Sequence, residues 1–239
     1  MSGHSKWATT KHKKALVDAK RSASFTKLAK IVTVAARNGG DQAMNFQLRL
    51  AVDRAKAASM PKENIDRAIK RGTGELGGEA IEEIIYEGYG PGGVAVLIEC
   101  LTDNRLRTVS GVRAAFNKFG GSLAESGSVS YLFERKGVIT INLKEIGRTA
   151  EELEETIIES GAEDFEFENE EYIVYTSVEN LQSVSKYFDD AGIKYQSSEL
   201  TYIPKTTAQI PEDKQSVLEK LIEALESDDD VSEIFSNAI

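Results

Sequence analysis

The chain has 239 residues, with 29 Lys+Arg against 39 Asp+Glu, and a formal net charge of −10. Its hydrophobic content of 41% and charged content of 28% are ordinary for a globular protein, which excludes collagen and wholesale disorder. The single cysteine, Cys100, excludes an intrachain disulfide and fits a reducing compartment. No apolar run approaches the ~20 residues that a membrane span needs.

The charges are divided unevenly along the chain. Residues 1–71 hold 16 Lys+Arg and 5 Asp+Glu, a net charge of +11, whereas residues 72–239 hold 13 and 34, a net charge of −21. This asymmetry predicts a basic module that faces nucleic acid or a membrane, attached to an acidic body. A membrane surface fits less well, because the apolar faces of the basic segment are used by its own core.

The basic segment, residues 1–71, is predicted to be helical. Apolar residues recur at helical spacing over 25–36, 48–58 and 61–72. Gly39-Gly40 and Gly72 are typical of helix ends, and Pro61 suits a first turn. We therefore predict a basic helical domain over residues 1–76, followed by a Gly-rich linker.

Beyond the linker the periodicity changes to that of an α/β domain. Its predicted elements are strands 81–89 and 94–101 around the turn 90–93, a helix through 109–119, a strand at 129–135, a helix from Pro211, and a short final segment, 231–238, that could supply the missing strand. We therefore predict a discontinuous middle domain, 80–135 with 207–239.

Residues 136–206 are predicted to form an inserted domain of their own. The predicted order is strand 138–142, a helix opened by the capping box Thr149–Glu152, strands 164–168 and 172–176, a helix through 181–191, and strand 194–202. This βαββαβ order is that of a ferredoxin-like unit. The fold class is therefore α+β, an N-terminal helical domain with two α/β sandwich domains.

Glycine motifs and titratable clusters give little support for catalysis. The two G-x-G-x-x-G matches, 72–77 and 88–93, lack the strand–loop–helix order of a dinucleotide site and are interpreted as a linker and a hairpin turn. His4 and His12 have no partners for a triad or a metal site, and Cys100 is predicted to be a buried small hydrophobe. The 11 acids of 151–171 are interpreted as a solvated face. The acidic triplet 228–230 lacks the glycine and the spacing of a calcium loop. We expect no metal and no cofactor.

The strongest chemical signal is cationic. Lysine and arginine supply the salt-dependent attraction to phosphates, and an indole can stack on an unpaired base. The candidate nucleic-acid-binding residues are Lys6, Trp7, Lys11, His12, Lys13, Lys14, Lys20, Arg21, Lys27, Lys30, Lys62, Arg67, Lys70 and Arg71. The last four lie on the third predicted helix, which is short for a major-groove reader.

Several motifs make the chain similar to a known family. They are Gly3-His4-Ser5-Lys6-Trp7, Lys11-His12-Lys13-Lys14-Ala15, Asp18-Ala19-Lys20-Arg21, Phe25-Thr26-Lys27-Leu28, Leu48-Arg49-Leu50-Ala51, Met60-Pro61-Lys62-Glu63-Asn64-Ile65, Ala68-Ile69-Lys70-Arg71-Gly72, Tyr86-Glu87-Gly88-Tyr89-Gly90-Pro91-Gly92-Gly93 and Glu125-Ser126-Gly127-Ser128-Val129. Nearly end to end, the sequence resembles the YebC/PmpR family of probable transcriptional regulatory proteins.

The resemblance implies a three-domain α+β protein without enzymatic activity. Family members are described as DNA-binding transcriptional regulators, mitochondrial relatives are similar to translational activators, and bacterial ones have been linked to the ribosome. We therefore expect a nucleic-acid-binding regulator that is a monomer. Because the chain begins directly at the Gly3–Trp7 motif, which leaves no room for a presequence, we expect a bacterial, cytoplasmic protein. The expected partner is DNA or ribosomal RNA, and the protein is expected to act with the ribosome or with the transcription machinery.

Two other classes stay open at this stage. An enzyme with a site between domains would show a cleft with converging, strongly perturbed carboxylates. A protein-interaction scaffold would use its acidic domains to dock a basic partner.

Overall fold

The structure, a computed structural model, describes residues 25–77 and 80–239. These residues form two compact units, one of residues 133–205 and one that combines residues 25–132 with residues 206–239. The helices are α1 (Phe25–Ala35), α2 (Phe46–Ala57), α3 (Lys62–Gly72), α4 (Arg105–Lys118), α5 (Ala150–Glu159), α6 (Leu181–Asp190) and α7 (Glu212–Glu226). The strands are β1 (Glu82–Tyr89), β2 (Ala95–Thr102), β3 (Ser122–Ala124), β4 (Phe133–Asn142), β5 (Asp164–Glu168), β6 (Glu171–Thr176), β7 (Ser197–Pro204) and β8 (Val231–Ser236).

Helices α1, α2 and α3 form a bundle around a small aliphatic core. Leu28, Val32, Leu48 and Ile65 are buried in it. Asn45 begins α2 by accepting a hydrogen bond from the Leu48 N–H at 3.1 Å, and its amide also donates to the carbonyls of residues 35 and 39 at 2.8 Å. One cap therefore fixes both the start of α2 and the path of the chain that leaves α1.

Gly72 lets α3 pack directly on α1. A Cβ atom at this position would lie 2.2 Å from the backbone oxygen of Thr33 and 2.7 Å from the Cβ of Ala36. Thr33 lies in α1 and Ala36 directly follows it in the bundle core, so neither can move aside without disturbing that core. The glycine that ends the third predicted helix therefore has a packing role as well.

Gly72→Ala is expected to lower the free energy of unfolding by about 1–3 kcal/mol, because overpacking pushes α3 away from α1. Gly77→Ala is the control, since a Cβ there would have nothing within 4 Å. Urea denaturation of the two variants measures the difference. Equal midpoints would contradict the close α1–α3 approach.

A four-stranded antiparallel sheet follows the bundle in the same unit. Its strand order is β3-β1-β2-β8, so the C-terminal strand pairs with the central strand β2. Helices α4 and α7 pack on this sheet. The core between them contains Val96 and Ile98 of β2, Phe116 of α4 and Leu221 of α7. The predicted strand in the C-terminal tail is therefore confirmed, and so is the hairpin turn between β1 and β2.

Residues 133–205 form a βαββαβ unit with strand order β5-β6-β4-β7 and antiparallel pairing throughout. Thr149 and Glu152 make the predicted capping box at the start of α5. Leu153, Ile157 and Phe188 are buried under the helices. The α+β class with a ferredoxin-like unit is confirmed.

One predicted boundary is wrong. The sequence predicted separate strands at 129–135 and 138–142, whereas β4 runs unbroken from Phe133 to Asn142 and pairs with β7 as far as Phe133↔Pro204. Gly137 does not end the strand, because it is the place where Thr176 and Leu181 approach the backbone too closely for a side chain. The strand beside β1 is instead the short β3.

Candidate nucleic-acid interface

The N-terminal candidates lie outside the described residues. They are Lys6, Trp7, Lys11, His12, Lys13, Lys14, Lys20 and Arg21. The structure places the other six, of which two are on α1 and four on α3.

Helix α3 presents its cations to solvent. Ile65 and Ala68 face the bundle core, and Lys62, Arg67 and Lys70 are exposed on the remaining surface. Among the described residues, no carboxylate forms an ion pair with these three side chains. Arg71 is exposed beside them in the last turn, where the helix dipole favours cations.

The two cations on α1 face the other way, toward the acidic part of the unit. Lys27 Nζ donates to the backbone oxygen of Glu226 at 2.5 Å. Lys30 Nζ donates to the backbone oxygen of Asp229 at 3.0 Å and to Asp230 Oδ1 at 2.5 Å. Both ammonium groups therefore join the bundle to the end of α7 and the residues that follow it.

Asp230 is a buried carboxylate on which several side chains converge. It is 3% exposed. Lys30 contacts Oδ1, and Arg107 donates to Oδ2 at 2.7 Å through Nη2 and at 3.1 Å through Nε. Thr102 and Thr108 donate to Oδ2 at 3.1 and 2.9 Å. Burial by itself would raise the pKa of Asp230, but the hydrogen bonds from Lys30, Arg107 and Thr108 lower it to about 2.

Further contacts from the bundle reach the same sheet. Arg54 forms an ion pair with Glu233 on β8. Arg37 donates to the backbone oxygen of Ile81 and lies 3.5 Å from Glu83. Basic side chains of the bundle thus meet acidic or carbonyl groups of the α/β part, as opposite net charges allow.

A second buried carboxylate, Glu87 on β1, holds the loop before β4. Its Oε1 accepts from the Gly127 N–H at 2.7 Å, and its Oε2 accepts from the N–H groups of Val129 and Ser130 at 2.7 and 2.8 Å. Burial opposes the charged form, but these backbone hydrogen bonds lower the pKa of Glu87 below its usual value. Tyr89 adds a hydrogen bond from its hydroxyl to the Ser128 oxygen at 3.0 Å.

Sequence reasoning missed Asp230, Arg107 and the role of Glu87. Asp230 stands in an acidic triplet whose sequence suggests at most a poor calcium loop, and its threonine partners look like ordinary polar residues. A weak signal existed for Glu87, because it and the segment from Glu125 to Val129 were both among the motifs that carried the resemblance. The structure shows that these two motifs touch.

The other features to consider in the described residues are a reactive cysteine, a metal site and a membrane-spanning helix. Burial raises the pKa of Cys100 to about 12, and its predicted place in the core is confirmed. Within residues 25–77 and 80–239, no cluster of three or more His, Cys, Asp or Glu side chains is arranged to hold a metal ion. None of the helices in these ranges combines the length and apolar character that crossing a membrane requires.

Two family models match this chain along its length. Residues 5–75 match the TACO1/YebC protein N-terminal domain, and residues 81–238 match the TACO1/YebC second and third domain. The chain belongs to the TACO1/YebC family. The resemblance stated from the sequence motifs is thereby confirmed.

Curated TACO1/YebC relatives are similar over almost the whole chain. A probable transcriptional regulatory protein of Geobacter sulfurreducens is 50% identical over 238 residues, covering 99% of this chain and 95% of the relative. One of Thermotoga maritima is 52% identical over 239 residues, covering 99% and 93%. A crystal structure of a conserved hypothetical protein from Aquifex aeolicus matches with a TM-score of 0.81 and 47% identity, covering 93% of this chain and 92% of that one.

Proposed function

We propose that this chain is a non-enzymatic, nucleic-acid-binding regulator of gene expression, and that residues 1–71 make the primary contact. The observation that carries the proposal is the net charge of +11 on this segment against −21 on the remainder. The exposed cations of α3 support it, because their charge is directed to solvent. Lys27 and Lys30 contribute less to this surface, since the acidic part of the unit already binds them.

Duplex DNA is the ligand that the names of the relatives favour. They are called probable transcriptional regulatory proteins. Helix α3 offers Lys62, Glu63 and Asn64 in its first turn, and a major-groove reader uses side chains at that end of its helix. On this branch the protein is a cytoplasmic monomer that acts with the transcription machinery.

Ribosomal or other structured RNA is the second candidate, and Trp7 is the observation that favours it. An indole among phosphate-binding lysines can stack on an unpaired base, which a DNA duplex does not offer. On this branch the protein regulates translation on the ribosome. A scaffold that docks a basic protein on the 151–171 acids is the third candidate, and it predicts no affinity for either nucleic acid.

The test is the salt dependence of binding by the full chain. Fluorescence anisotropy gives Kd for a 30-base-pair duplex and for an RNA hairpin across a KCl series. Replacing Lys11, Lys13 and Lys14 with alanine is expected to reduce the log–log slope by about 0.7–0.9 for each phosphate that is no longer neutralised, with the lower value for single strands. The matched control replaces three exposed lysines of the acidic part, Lys144, Lys186 and Lys220.

Trp7→Ala separates the two ligands. A stacked indole is expected to contribute about 1–3 kcal/mol to binding of unpaired RNA and almost nothing to binding of duplex DNA. Equal slopes in the lysine variant, its control and the wild-type chain would remove the N-terminal lysines as the primary contact.

A further inference from the structure

Helix α4 is a cationic element within the acidic part of the chain. Residues 104–124 contain Arg105, Arg107, Arg113 and Lys118 and no Asp or Glu. The other residues of 72–239 contain 9 Lys+Arg and 34 Asp+Glu. Residues 104–124 therefore carry a net charge of +4, whereas the other residues of 72–239 carry a net charge of −25.

The helix separates its core face from its charged face. Thr108, Val112 and Phe116 are buried at four-residue spacing. On the opposite side Ser110 and Ala114 are exposed between Leu106 in the first turn and Asn117 in the last, so short side chains occupy only the middle of the outer face.

Arg113 and Lys118 flank the short side chains on opposite sides, as ~100° of rotation per residue dictates. Both cations are exposed. A phosphate backbone that lies along the helix can therefore approach closely and meet a cation on each flank.

The cations of α4 have different partners. Arg107 is held by Asp103 at 2.9 Å and Asp230 at 2.7 Å, which anchors the first turn. Among the ion pairs of residues 25–77 and 80–239, none involves Arg105, Arg113 or Lys118; the ammonium of Lys118 lies 5.3 Å from the ring centre of Phe119. One cation thus fixes the helix, and the others keep their charge available to a ligand.

Asp230 also places α4 beside the basic bundle. Its Oδ1 binds Lys30 of α1, and its Oδ2 binds Arg107 of α4. A polyanion held by the basic segment is repelled by the acids of the remaining surface. The cationic face of α4 is the place in the α/β part of this unit where charge complementarity favours such a ligand.

We propose that α4 is a second nucleic-acid-binding surface, on which Arg113 and Lys118 bind backbone phosphates of the nucleic acid that the basic segment holds. This inference rests on the proposed function. It assigns the α/β part a direct share in binding, which lengthens the stretch of nucleic acid that one molecule covers. The contacts are to phosphates, so they add affinity without sequence preference.

The test uses the full chain in the same anisotropy assay with the same duplex and hairpin. Arg113→Ala combined with Lys118→Ala is expected to reduce the log–log salt slope by up to about 1.4–1.8, at 0.7–0.9 per phosphate. Arg113→Glu combined with Lys118→Glu is expected to weaken binding further. Lys214→Ala combined with Lys220→Ala, two exposed lysines on α7, is the matched control. Thermal unfolding checks that each variant is folded.

The outcomes distinguish the two proposals. Unchanged slopes in both α4 variants, with a lowered slope in the variant of Lys11, Lys13 and Lys14, would overturn the α4 surface and keep the basic segment. Unchanged slopes in the α4 variants would also be expected if α4 binds an acidic protein instead of nucleic acid, and they would overturn the proposal in that case too. No binding by the wild-type chain to either probe would overturn the proposed function itself. A fall confined to the α4 variants would remove the basic segment as the primary contact.

Discussion

Asp230→Ala is expected to lower the free energy of unfolding by about 3–5 kcal/mol, the cost of removing one partner from a buried ion pair. The loss falls mainly on Lys30, Thr102 and Thr108, because the Arg107 side chain is 56% exposed and water can replace its partner. Asp229→Ala is the control: Asp229 is exposed and offers Lys30 only its backbone oxygen. Chemical denaturation with urea measures both variants. A loss no larger than that of the control would show that the network does not hold the unit together.

The same carboxylate has a predictable pH dependence. Its folded pKa of about 2 lies below the ordinary 3.8, so its stabilising effect is complete above pH 3.8 and is lost as the pH falls through 2. Asp230→Asn, which keeps the shape but not the charge, should therefore narrow the gap in stability from the wild-type chain between pH 4 and pH 2. A constant gap over this range would contradict the assigned ionisation.

Glu87→Ala is expected to lower the free energy of unfolding by about 2–4 kcal/mol, because three backbone N–H groups lose a charged acceptor and that of Val129 is left buried without one. Glu87→Gln keeps one acceptor oxygen and should cost less. Glu82→Gln, an exposed change on the same strand, is the control. Hydrogen exchange reports the effect locally, since the amides of Gly127, Val129 and Ser130 should lose protection before the sheet does.

The pH sign for Glu87 follows from its lowered pKa. Its contribution is present above the ordinary value of 4.5 and declines as the pH falls below it. If the three amides exchange at wild-type rates in Glu87→Ala, the carboxylate does not organise this loop.

Local patterns were sufficient for most of the fold. Periodicity and helix-ending glycines placed α1, α2 and α3, and the order of elements after Gly137 predicted a ferredoxin-like unit that the strand order matches. Beta propensity could not predict that β4 continues through Gly137. The glycine stands there because Thr176 of the neighbouring strand β6 approaches the backbone too closely for a side chain. The predictions failed where a distant segment sets the local conformation.

The candidate site shows the same limit: the sequence predicts the basic region but not the distant partners of its lysines. Composition found the basic segment, yet Lys27 and Lys30 look no different in sequence from Lys62 or Lys70. The partners that separate them lie 199 and 200 residues further along the chain. A charge pattern therefore predicts which region binds a polyanion, but not which of its lysines the fold has already used.

The pairing of β8 with β2 makes the sheet depend on residues that are synthesised more than a hundred residues after the strand they cover. Strand β2 is almost wholly buried, and its two neighbours are β1 and β8. Until residues 231–236 leave the ribosome, one edge of this apolar strand has no partner, and an uncovered edge can pair with another chain. At ~5–20 residues per second this interval lasts on the order of ten seconds. During that time the nascent chain also lacks Asp230. Helix α1 is therefore synthesised well before the carboxylate that binds its Lys30 side chain. Nascent chains of this protein should therefore depend on chaperones until β8 has been synthesised, and a chain truncated after residue 228 should aggregate where the chain of 239 residues does not.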